Sequence, residues 1–227
     1  MNAISHHPAS HRSALYAVAL SLLALVVCLA RPALAEPDDL DAGIRVLQHS
    51  WEVIQYQTPE KEHAERFEKL ADQAHALTAR YPDRAEPHIW EGIVLSSWAG
   101  ARGGIGALGL AKRAKASYER ALTIDETALK GSALNSLGVL YYKVPGWPIG
   151  FGDKDKAEEL LRRALAINPD GIDPNYFYAD YLVERNRKKE AIPYLEKALA
   201  APARPGREIA DQGRREEAQE LLDEIRR

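Results

Sequence analysis

Residues 155–169, DKAEELLRRALAINP, decide how this chain folds. Ala157, Leu161 and Ala164 follow one another at spacings of four and three residues, so they share one face of an α-helix, and charged residues take the other face. Pro169 stops the helix, because proline cannot continue one. The same arrangement recurs at 112–125, KRAKASYERALTID, with Ala114, Tyr118 and Ala121, and at 189–202, KEAIPYLEKALAAP, with Ala191, Leu195 and Ala198. In each, the small residues admit a neighbouring helix and the large one fills the space between. Ala164 and Ala198 lie 34 residues apart.

A second helix precedes each of these: EPHIWEGIVLSSW, SALNSLGVLYYK and NYFYADYLVER. Gly92, Gly138 and Ala179 hold equivalent places in them. Glycine weakens a helix interior, so its recurrence predicts a close helix crossing. The pattern resembles the tetratricopeptide repeat, a pair of antiparallel helices. In the second unit the resemblance is carried by Leu134, Leu137, Gly138, Tyr141, Ala157, Leu161, Ala164 and Pro169. The first unit matches at Gly92, Ala114, Tyr118 and Ala121, and the third at Tyr178, Ala179, Leu182, Ala191, Leu195 and Ala198. The fold class expected is all-α, a tetratricopeptide-like α-solenoid.

Residues 85–203 form the repeats. The separation between the small residue of the first helix and the first alanine of the second is 12 residues in the third unit, but 22 in the first and 19 in the second. Long turns between paired helices are therefore expected at 98–109, in AGARGGIGALG, and at 144–152, in VPGWPIG. Residues 36–84 read as an N-terminal helical pair, a degenerate repeat, and 204–227 as a capping helix with one charged side.

Residues 1–35 have the layout of a secretory signal: a weakly basic start, an apolar run at 15–30, and Ala33 and Ala35 placed for cleavage after Ala35. An uncleaved anchor is the alternative. Val27 before Cys28 departs from a lipid-attachment pattern, and Cys28 is the chain's one cysteine, so cleavage leaves no thiol and no disulfide. Losing Arg12 and Arg31 leaves 28 basic residues against 33 acidic, a net charge of −5, which argues against nucleic acid or anionic membranes as partners. No second apolar segment is long enough to span a bilayer. The expected location is the periplasm.

No catalytic signature and no cofactor motif is present. GARGGIG lacks the lysine or acid that phosphate binding needs and reads as a turn. His49, His63, His75 and His88 have no pair at metal-ligand spacing, so no metal is expected. Asp153 in DKDKAEE reads as a helix N-cap rather than a calcium ligand. The expectation is a protein that performs no reaction.

If the repeats stack, the first helix of each pair lines a concave face. The inward candidates are Ile89, Ile93 and Ser97, then Asn135, Val139 and Tyr142, then Tyr176 and Asp180, a mixture suited to a protein or peptide partner. It also suits a small amphipathic ligand. Trp147 and Phe151 in the second turn read two ways: rigid contact area for a partner, or rings packed on the neighbouring repeat, where burial of each contributes roughly 2–3 kcal/mol. The signal, the long turns and the glycine-rich first repeat resemble the T-component of TRAP-type transporters. That resemblance implies an accessory role in solute uptake beside a substrate-binding protein, including assembly as a homo-oligomer.

Overall fold

The computed structural model describes residue 1 and residues 39–227; the signal, Cys28 and the cleavage point at Ala35 lie outside the described residues. Residues 39–227 form one compact unit of helices. In chain order these are α1 (Asp39–Gln57), α2 (Glu60–Arg80), α3 (Ala85–Arg102), α4 (Gly104–Ile124), α5 (Ala128–Lys143), α6 (Lys154–Ile167), α7 (Ile172–Glu184), α8 (Lys188–Ala200) and α9 (Glu208–Arg226). Among the described residues there is no strand, only an isolated bridge between Gly146 and Gly152.

Consecutive helices pack as antiparallel pairs through the small-residue notches. A Cβ on Gly92 would come within 2.4 Å of the Tyr118 ring, and one on Gly138 within 2.8 Å of Leu161. Ala179 and Leu195 take these places in the third pair and are fully buried. Ala157, Ala164, Ala191 and Ala198 are likewise at or near zero exposure. The helix starts follow local chemistry: Asp153 caps α6 by accepting from the backbone N–H of Asp155 and of Lys156, both at 3.0 Å.

The two expected long turns differ. Residues 144–153 do leave helical geometry, and the loop is pinned where Asp153 N–H donates to Tyr141 O at 2.8 Å and Gly152 N–H to Pro145 O at 2.9 Å. The turn expected at 98–109 is not there. α3 runs to Arg102 and α4 starts at Gly104, so the ten extra residues lengthen both helices. Gly103 and Gly104, at φ 60° and 63°, reverse the chain in the left-handed region that glycine alone enters freely. The added turns are retained because Ala99, Leu110 and Ala111 are buried in the same core.

The odd-numbered helices do more than stack. α1 touches α3, α3 touches α5, α5 touches α7, α7 touches α9, and α9 returns to α1. These five form a closed inner ring. The even-numbered helices lie outside it and meet only their neighbours in the chain. α9 is therefore a wall of the ring as well as a terminal cap. Its Gly213 faces the Tyr56 ring of α1, where a Cβ would come within 2.3 Å.

Candidate functional site

The inner ring surrounds a cavity of about 320 Å³ to which α1, α3, α5, α7 and α9 all contribute. A second space of about 510 Å³ shares Trp90, Ile93, Ser132, Asn135, Asp173, Arg204 and Arg207 with it and opens at the N-terminal ends of α5 and α7. That mouth is bordered by Leu129 and Lys130, which with Gly131 adopt positive φ before the regular part of α5 begins at Ser132.

One side of the cavity is apolar and aromatic. Trp51 and Trp90 meet edge to face with centroids 6.3 Å apart, and Ile93, Val139 and Phe177 complete this wall. Trp51 Nε1 donates to Ser97 Oγ at 2.8 Å, and the Ser96 and Tyr118 hydroxyls are 3.1 Å apart. The other side is ionic and comes from the C-terminal segment. Asp173 Oδ2 accepts from Arg204 Nη1 at 2.6 Å and Asp173 Oδ1 from Arg214 Nε at 3.0 Å. Arg204 Nε also donates to Asp211 at 2.6 Å. Arg207 Nε donates to Glu52 at 3.1 Å, and its guanidinium lies 5.3 Å from the Trp90 ring centre. Arg214 pairs with Glu217 and lies 4.4 Å from the Phe177 ring centre.

Burial alone would push the Asp173 carboxyl up, but the Arg204 and Arg214 charges outweigh it and hold it down at about 2. Burial pushes the Glu217 carboxyl up against the opposing pull of Arg214. Three buried polar atoms on residues of the cavity wall, Tyr56 Oη, Trp90 Nε1 and Asn135 Oδ1, have no hydrogen-bond partner among the described residues. Such groups are rare, since each costs about 1–3 kcal/mol when left unpaired.

The expected concave-face residues divide. Ile93, Ser97, Asn135 and Val139 line the cavity. Ile89 is fully buried in a cluster with Ala121 and Ala133, so it is packing rather than surface. Tyr142 is also buried, and its hydroxyl donates to Asp180 Oδ2 at 2.7 Å. Tyr176 and Asp180 face a separate, open cleft between α7 and α9, lined by Glu217, Glu220, Asp223 and Glu224. A single continuous trough through all eight positions does not exist, because α9 and the segment before it occupy the side where it would open.

The aromatic loop divides as well. Phe151 packs edge to face on Tyr141 at 5.7 Å, with Lys115 5.9 Å from its ring centre. Trp147 is 91% exposed and Ile149 70% exposed. The histidines make local contacts, among them His75 with Glu91 at 2.9 Å and His88 with the Pro82 carbonyl at 2.9 Å. Among the described residues no group of His, Cys, Asp or Glu is placed to hold a metal ion, and no helix is long and apolar enough to cross a membrane.

Comparison with known proteins bears on the repeats directly. Residues 149–207 match the family described as tetratricopeptide repeat. The segment contains α6, the second helix of the pair read from DKAEELLRRALAINP, and α7 and α8, the pair read from KEAIPYLEKALAAP. A crystal structure of a thermophilic tetratricopeptide-repeat protein from Thermus thermophilus resembles the fold with a TM-score of 0.52, at 17% identity over 89% of this chain and 96% of that one. A crystal structure of MamA aligns at 19% identity over 73% of this chain and 90% of that one, with a TM-score of 0.43. No curated protein sequence matches the chain. The architecture is that of a tetratricopeptide-type all-α solenoid. The comparisons support the tetratricopeptide architecture and lend no support to the resemblance to the TRAP-type T-component.

Sequence reasoning passed over Trp51, Trp90, Arg204, Arg207 and Arg214. One signal pointed to them: Gly213 inside a charged helix marks a close approach, as Gly92 and Gly138 do. It shows that α9 is packed on something, without showing on what.

Proposed function

We propose that this chain is a protein-interaction module of the cell envelope that docks a partner through the loop between α5 and α6 and performs no reaction. The observation carrying this reading is the exposure of Trp147 and Ile149 on a loop held by Phe151 and by backbone hydrogen bonds. Val46 is the other large apolar side chain exposed in the described helices. A rigid tryptophan beside an isoleucine offers contact area at little cost in conformational entropy, which is the make-up of an interface hot spot. The partner's complementary feature is an apolar pocket that accepts the indole. The compartment is a reading of residues 1–35: export, cleavage after Ala35 and residence in the periplasm.

The test is affinity capture from native envelope extract with the wild-type chain and with a Trp147→Ser/Ile149→Ser variant. The reading expects a partner retained by the first and lost by the second. Retention by both overturns it. Light scattering on the purified chain covers the case in which the partner is a second copy, and N-terminal sequencing of the exported protein is expected to begin at Glu36.

A further inference from the structure

We propose that the cavity inside the helix ring is a binding site for a small organic monocarboxylate, with its apolar body against Trp51, Ile93, Val139 and Phe177. This proposal does not rest on the docking loop, whose residues belong to a different segment and do not line the cavity.

The cavity wall carries three guanidinium groups, those of Arg204, Arg207 and Arg214, against one carboxylate, that of Asp173. The acids that balance the other charges, Glu52, Asp211 and Glu217, are not part of that wall. Asp173 is saturated by Arg204 and Arg214. Arg207 differs from both: only its Nε is engaged, by Glu52, and its two terminal nitrogens have no partner among the described residues. Beside them is the Trp90 ring, whose Nε1–H is a buried donor without an acceptor. The Arg207 fork and the Trp90 indole N–H belong to the same cavity wall, and each can donate to a carboxylate oxygen. Asn135 stands on the same wall with its side-chain oxygen unpaired, and turning its amide over adds a further donor.

The remaining wall is apolar and aromatic, and a cavity of about 320 Å³ is at the small end of the ligand-pocket range, roughly 300–1,000 Å³. A folded partner does not fit a space ringed by five helices. A free acid with a short alkyl or aryl body does, reaching it through the mouth bordered by Leu129, Lys130 and Asp170.

The test is calorimetry and thermal denaturation of the purified protein with octanoate and with phenylacetate, against 1-octanol and octylamine as controls. The expected result is saturable binding of at least one acid, a raised Tm, and no saturable binding of the alcohol or the amine. Arg207→Lys keeps a cation for Glu52 but loses the fork, and Trp90→Phe keeps the ring but loses the donor; each is expected to weaken the acid by about tenfold or more. Trp147→Ser, on the docking loop, is expected to leave acid binding unchanged. Absence of saturable binding by both acids, equal binding by octanol, or undiminished binding by both cavity variants overturns the proposal. Loss of partner capture by Trp147→Ser/Ile149→Ser with acid binding intact, or the reverse, separates the two functional readings.

Discussion

Arg207 at the start of α9 donates its Nε to Glu52 of α1 at 3.1 Å, joining residues 155 apart in the chain. Glu52 is 2% exposed, and Arg207 also covers Trp90. This ion pair is one of the bonds that turn a row of helix pairs into a closed ring.

Removing one partner strands the other. Arg207→Ala leaves the Glu52 carboxylate buried with only the exposed His49 beside it, and is expected to cost about 3–5 kcal/mol. Replacing both residues with methionine is expected to recover most of that loss, because two apolar side chains need no pairing. Urea denaturation of Arg207→Met, Glu52→Met and the double variant at pH 7 measures the coupling. Strictly additive effects would show that the pair contributes nothing to closure.

The ring has a packing requirement as strict as its ionic one. Gly213→Ala places a methyl group against the Tyr56 ring, and Gly92→Ala places one against Tyr118; each is expected to lose about 1–3 kcal/mol. Gly100, also helical, has nothing within 4 Å of a built Cβ, so Gly100→Ala is expected to gain roughly 0.5–1 kcal/mol. Equal denaturation midpoints for the three variants would contradict the notches.

Asp173 makes stability depend on acid. Its folded value of about 2 lies below that of an unfolded aspartate, about 3.9, so unfolding takes up a proton between them. Its contribution is full above pH 4 and is lost as the pH falls toward 2. Asp173→Asn is expected to be less stable than wild type at pH 7, with the gap narrowing between pH 4 and pH 2. Denaturation midpoints across that range test it, and a gap that stays constant refutes the assignment.

The two rings of the α5–α6 loop have opposite expected phenotypes. Trp147→Ser should leave stability within about 0.5 kcal/mol of wild type, since an exposed side chain has little to lose. Phe151→Ala removes the contact with Tyr141 and should cost about 2 kcal/mol. Thermal denaturation together with partner capture separates a binding residue from a folding residue.

Much of the molecule was legible from the chain alone because its signals are local. Alanines at helical spacing, glycines in helix interiors and prolines at helix ends report contacts within one hairpin, and those contacts were found as read. The enlarged turn at 98–109 was misread because length and glycine content are compatible with either a loop or two longer helices. Burial of Ala99, Leu110 and Ala111 decides for the helices, and burial is a property of the folded whole. The division of the concave-face residues was hidden for a related reason. Ile89, Tyr142 and Tyr176 share a face in each helix's own frame, but what covers that face is contributed from elsewhere in the chain.

By itself, the sequence determined that the chain forms antiparallel helix pairs of the tetratricopeptide type, with notches at Gly92, Gly138 and Ala179. Those interactions span a few tens of residues and are written in the spacing of side chains. Only the tertiary structure decided that the row closes through α9, that Arg204, Arg207 and Arg214 meet Trp90 and Asp173 around one cavity, and that Trp147 faces outward while Phe151 packs inward. The physical reason is curvature: small rotations between successive pairs accumulate, and whether the last helix reaches the first depends on their sum, which no local pattern records.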